Sequence, residues 1–133
     1  MGRFGGTERQ WTIRTTSSYP LAVRIYCRSL ALYSASLSDN LLMGLPEENG
    51  YNIDDAIAAA VMEDDLKDLD DGLETIVGPK GLRLSGGQMQ RTAAAWMFLR
   101  HPELFVFDDL SSALDVETDQ KLWARMFERR ENE

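Results

Sequence analysis

Apolar positions along the 133-residue chain come in short, capped groups separated by turn residues. Ser36-Leu-Ser-Asp-Asn-Leu-Leu-Met-Gly44 reads as a short helix capped by a hydroxyl and stopped at glycine. Pro46 to Gly50 is a loop, after which Asn52 or Asp54 can cap a helix with Ala56, Ile57, Ala60 and Val61 on one side. Asp65, Leu66 and Leu69 predict another short helix with an acidic outer face, and Asp71-Gly72 turns the chain. Leu73 to Val77 is short and apolar, and Gly78 to Gly81 is a loop. Ser85 caps a helix running to about Arg100 and ended by Pro102. Leu104 to Phe107 is a four-residue apolar run of the kind found in buried parallel strands. Val116 to about Arg130 predicts a last helix with Leu122, Met126 and Phe127 on its apolar face. Before Ser34 there is no clear period except for a short strand at Leu21–Tyr26.

Composition narrows the function classes. With 44% apolar residues and three Trp, a modest core can form, and 133 residues make one domain at most, or part of one. The net charge of −8 argues against a nucleic-acid binder, which needs a basic face. One cysteine, Cys27, excludes an internal disulfide framework, and one histidine, His101, leaves no basis for a His-based metal site. The longest apolar runs, Ala56 to Met62 and Ala93 to Leu99, are far too short to span a bilayer. The default expectation is a reduced, cytoplasmic location. Charge also divides the chain. Residues 1–33 hold five Arg and one acid, whereas the remainder holds nine basic and 21 acidic residues.

Candidate chemistry lies between Leu84 and Asp115. Ser85, Gly86, Gly87 and Gln88 open a helix whose first N–H groups have no intrahelical partner and whose dipole favours an anion. Glycines admit a ligand close to the backbone, so the tip suits a phosphate. Ser85 can add a hydroxyl, and Gln88 can buttress the loop. The plain alternative is an ordinary helix cap. Asp108 and Asp109 follow the apolar run at the strand end where open α/β sheets place their ligands. Asp108 suits Mg²⁺ held through water, and Asp109 can polarise an attacking water. The alternative there is a pair of acids capping a turn.

The order Leu84-Ser-Gly-Gly-Gln88, Arg91, an Ala-rich helix, Pro102, an apolar strand ending in Asp108-Asp109, and Ser111-Ser-Ala-Leu-Asp115 resembles the nucleotide-binding domain of ATP-binding-cassette (ABC) ATPases. In that resemblance Leu84 to Gln88 is the signature, Leu104 to Asp108 the Walker B strand, and Ser112 to Asp115 the D-loop. Thr75-Ile-Val-Gly-Pro-Lys-Gly81 resembles the loop that exporter-type members carry before the signature, and Tyr33 to Gly44 resembles the stretch after the Q-loop. The match covers about Leu32 to Arg130. It implies an α/β fold, a fragment of a P-loop NTPase-like ABC ATPase domain made mostly of the helical subdomain plus the Walker B strand. It further implies ATP and Mg²⁺ as cofactors, with Ser85, Gly86, Gly87, Gln88 and Asp115 binding nucleotide, Asp108 the metal, and Asp109 acting in catalysis. The implied partners are a second ABC ATPase domain in a head-to-tail dimer and transmembrane transporter domains, which would make the chain peripheral to a membrane.

Departures from the pattern shape the expectation. No Gly-x-x-x-x-Gly-Lys-Ser/Thr string occurs, and Lys67, Lys80 and Lys121 are the only lysines. His101 is misplaced for the family's switch histidine, neither Arg28 nor Ser29 is the Q-loop glutamine, and Asp109 stands where Glu is usual. The chain alone is therefore expected to be inactive. Residues 1–31 are expected to be a divergent or disordered arm, and 32–133 a partial ABC domain. Trp11 to Tyr26, reverse-translated and read two nucleotides later, resembles the family's approach to the Q-loop better than the residues themselves, which predicts an out-of-frame translation. Three roles follow: part of an ATP-hydrolysing transporter subunit, a binding module offering its signature to a complete ATPase, or a non-functional fragment that never folds stably, which is favoured over the second because Leu104 to Phe107 is expected to lack sheet partners.

Overall fold

Helix α4 (Gly86–Phe98) packs against the first two helices of the chain. In the computed structural model the described residues are 23–25, 30–46, 50–101, 104–106 and 113–131. In chain order these form β1 (Val23–Ile25), β2 (Ala35–Ser36), α1 (Leu37–Leu42), α2 (Ile53–Ala59) and α3 (Glu63–Lys67). A 3-10 turn (Gly72–Glu74), β3 (Ile76–Val77), α4, β4 (Leu104–Val106) and α5 (Val116–Glu131) follow.

Small side chains explain the packing of α4. Ala93, Ala94 and Ala95 let neighbouring helices approach closely, while Met97 and Phe98 fill the space between them; all five are buried. Leu37 and Leu41 of α1, Ala56 and Ile57 of α2, and Leu122 and Met126 of α5 complete one core with them. Ile57, Ala94, Met97 and Phe98 pack as expected, with Val61 and Leu66 at the margin. Phe127 departs from expectation. It is 52% exposed and stacks on Trp123, because the apolar stripe of α5 is only wide enough to bury Leu122 and Met126.

The caps follow the sequence closely. Ser36 Oγ accepts the Asp39 N–H at the start of α1, and Asn52 rather than Asp54 caps α2, accepting the Asp55 N–H. The end of α2 closes with the Met62 N–H on the Ile57 carbonyl and the Val61 N–H on the Ala58 carbonyl. Val61 occupies the left-handed position of that motif (φ 57°), where glycine is usual.

The strands form two separate two-stranded sheets. β2 and β3 pair antiparallel, Ala35 opposite Val77 and Ser36 opposite Ile76. Asn40 holds the approach to them, its amide donating to the Tyr33 and Ser36 carbonyls and its oxygen accepting the Tyr33 N–H. Gly78 (φ 89°) has to be glycine, since a Cβ there would stand 2.5 Å from the Tyr33 carbonyl oxygen. β1 and β4 pair in parallel, Val23 opposite Leu104 and Ile25 opposite Val106. The expectation that the 104–107 run lacks a sheet partner is thus corrected. Along residues 104–106 one edge of the strand is paired with β1, which lies inside the segment assigned from sequence as an arm.

α5 is clamped onto the helical layer by charge as well as by its apolar face. The Arg125 guanidinium donates to the Ala58 carbonyl and to Glu63, and Arg129 faces Asp55 at 3.4 Å. Among the described residues no helix is long and apolar enough to cross a membrane.

Candidate functional site

The tip of α4 is a capping box. Ser85 Oγ accepts the Gln88 N–H at 3.2 Å, and the Ser85 N–H donates to Gln88 Oε1 at 2.9 Å. Gln88 thus buttresses the turn as expected. These two bonds hold the first turn in shape and consume two of its donors. The Gly86 and Gly87 N–H groups donate to no other described residue. Ser85 and Gly86 are exposed, with Gly87 and Gln88 half-buried. The serine hydroxyl still has its own proton to donate, because the cap uses it only as an acceptor. An exposed helix tip with two unspent amides, a hydroxyl and the positive end of the dipole fits a phosphate group.

The glycines have a second use that sequence reasoning did not see. A Cβ on Gly86 would stand 3.3 Å from Ala113 Cβ, and one on Gly87 would stand 3.2 Å from both the Ala113 carbonyl oxygen and Arg91 Nη1. They make room for the chain at 113 and for a guanidinium. Gln90 reinforces that approach: its buried side-chain oxygen accepts the Ala113 N–H at 3.4 Å.

Asp65 is also corrected. The acidic outer face expected of α3 holds for Asp64, but Asp65 turns inward and pairs with Arg91. Asp115 stands directly before α5 and caps it, its two oxygens accepting the Thr118 N–H at 2.9 Å and the Thr118 hydroxyl at 2.8 Å. The Thr118 backbone N–H, followed by its hydroxyl, holds the Asp115 carboxyl below the usual carboxylate value of 3.8. The structure therefore brings Ser85, Gly86, Gly87 and Gln88 together at one tip with Ala113 beside them, and gives Asp115 a helix-capping role. Asp108 and Asp109 lie outside the described residues. Among the described residues no group of three or more His, Cys, Asp and Glu side chains clusters to hold a metal ion. His101 is exposed, at the turn that ends α4.

Comparison with known proteins gives the family of the chain. The chain is 39% identical over 99 residues to YheI of Bacillus subtilis, a probable multidrug resistance ABC transporter ATP-binding/permease protein; the match covers 74% of this chain. It is 35% identical over 105 residues to the ABC transporter ATP-binding protein YwjA of the same organism, covering 79% of this chain. Among solved structures, a bacterial Atm1-family ABC exporter with ATP bound superposes on 79% of the chain with a TM-score of 0.69 at 32% identity. This chain is an exporter-like ABC domain segment. A third relative, the ABC transporter aclQ of Aspergillus oryzae, matches over 90% of the chain at 35% identity. No protein-family model matches the chain. The ABC segment spans 18% of YwjA, 17% of YheI and 18% of the exporter chain.

Proposed function

We propose that the α4 tip is the ABC signature and that it grips the terminal phosphate of an ATP held on the P-loop of a second ABC domain, paired head to tail with this one. The observation that carries this reading is the pair of unspent N–H groups at Gly86 and Gly87 on an exposed, pre-shaped helix start. The capping box supplies the preorganisation. Donors already aimed need no reorganisation when phosphate charge develops during phosphoryl transfer. Ser85 adds its hydroxyl, Gln88 keeps the turn closed, and the backbone at Ala113, within the D-loop, lines one side.

In the same reading residues 32–133 are a partial ABC domain, mostly helical subdomain, and Leu104–Val106 belongs to the Walker B strand. Asp108 would hold Mg²⁺, which would offset phosphate charge, and Asp109 would orient the attacking water, both at the half-site whose P-loop these 133 residues do not contain. ATP hydrolysis by the pair drives transport through transmembrane domains, with this segment lying on the cytoplasmic side of the membrane. The 133 residues contain no P-loop string, so the chain by itself offers the signature half of a composite site and no phosphate-holding lysine.

The test is ATP-dependent association. The probe is a purified ABC ATP-binding domain that carries a P-loop but has its own signature glycines replaced, so that it cannot pair with itself. The labelled chain should bind this domain when ATP is present and not in its absence. Gly87→Val, which fills the space beside Ala113 and Arg91, should abolish binding while leaving the helical circular dichroism in place. Equal binding with and without ATP would end the reading.

A further inference from the structure

Arg91 sits one helical turn beyond Gly87 and is held from the other side by α3. Its Nε and Nη2 donate to Asp65 Oδ2 and Oδ1 at 2.5 and 2.7 Å, a two-pronged contact between side chains only 14% and 13% exposed. Such a fork fixes the guanidinium plane as well as its distance. The remaining nitrogen, Nη1, lies over Gly87, and a Cβ there would be 3.2 Å from it. On its other flank Gly87 meets the Ala113 carbonyl oxygen, also at 3.2 Å from that Cβ position. The second glycine of the tip is therefore clasped between a guanidinium whose orientation Asp65 dictates and the backbone at 113.

We infer that Asp65 and Arg91 are positioning residues for the phosphate-gripping tip, an inference that rests on the function proposed above. Asp65 on α3 sets the guanidinium, the guanidinium sets Gly87, and Gly87 sets the direction of the two unspent N–H groups. Asp65 also keeps the Arg91 charge behind the tip. The cation strengthens the positive end of the helix without extending into the space of the phosphate. A shift of α3 against α4 is thereby transmitted to the tip.

The test uses the full chain with Arg91→Lys, which keeps the charge and loses the fork, Asp65→Asn, which keeps the shape and loses the charge, and the double variant. First, without nucleotide, the ¹⁵N–¹H resonances of Gly86 and Gly87 should move in both single variants while those of Gly44 and Gly50 stay in place. Second, ATP-dependent association with the signature-defective domain should weaken at least tenfold in each single variant, and the double variant should be no weaker than the worse single. Both are measured at a temperature where circular dichroism shows every variant folded. Unmoved glycine resonances overturn the inference. So does association unchanged from the native chain in variants whose melting temperature falls, because the pair is then a strut between helices and nothing more. If the native chain itself fails to associate, the proposed function falls, and the glycine resonances alone decide the positioning role. Should Asp65→Asn fail to fold, Arg91→Lys carries both readouts.

Discussion

The two ends of α4 are built on opposite principles. At its C-terminal end Arg100 lies over the Trp96 ring, 3.5 Å from the centroid, and donates to the Leu41, Met43 and Trp96 carbonyls, so the close of α4 and the close of α1 share one cation. Met97, Phe98 and Leu99 are buried beside it. At the N-terminal end the capping box satisfies two donors and leaves the Gly86 and Gly87 N–H groups with no acceptor among the described residues. One end is closed for stability, and the other holds open groups in a fixed shape. A tip without the closed end would have no fixed direction, and a helix closed at both ends would have nothing to offer a ligand.

Substitutions can separate the two ends. The largest effect is expected from Phe98→Ala, which should cost about 3–5 kcal/mol in urea unfolding and weaken association only in step with the unfolded fraction. Breaking the half-buried pair with Asp65→Ala should cost about 2–4 kcal/mol by leaving Arg91 uncompensated, measured the same way. Ser85→Ala should cost about 1 kcal/mol of stability through the lost cap, yet weaken ATP-dependent association by more than that loss predicts. A fall in association no greater than the fall in stability would make the tip an ordinary cap. Val61→Gly should change stability by less than about 1 kcal/mol, because relief of the left-handed valine and loss of its packing oppose each other.

Asp115 allows a check on its capping role through pH. Its carboxyl titrates below 3.8 in the folded chain, so its contribution to stability is present above that value and is lost as pH falls through the folded one. Acid unfolding of Asp115→Asn should therefore be less steep below pH 3.8 than that of the native chain. Identical acid limbs would show that the Thr118 contacts do not persist in solution.

Local signals made much of this legible in the sequence. Ser36, Asn52 and Ser85 each cap the helix they precede, because an N-cap bond closes within three residues. The tip was legible for the same reason. What sequence reasoning missed acts across long separations. The Asp65–Arg91 pair joins residues 26 apart, and the Arg125–Glu63 pair joins residues 62 apart. Neither has a periodic signature, since a charged residue on a short helix reads as solvent-facing until its partner is known. The β1–β4 pairing was invisible for a related reason: each strand was visible alone, but parallel register depends on elements far apart in the chain. Phe127 shows the reverse error, where an apolar residue at helical spacing falls just beyond the buried stripe.

The central claim is that the Gly86 and Gly87 amides are open in the chain alone and are spent on a nucleotide brought by a partner. Hydrogen–deuterium exchange at those two amides reads this directly. The account predicts fast exchange in the isolated chain and strong protection when the signature-defective, P-loop-bearing domain is added with ATP, with no protection when ATP is left out. Slow exchange in the isolated chain, or unchanged exchange in the ATP-loaded mixture, would contradict it.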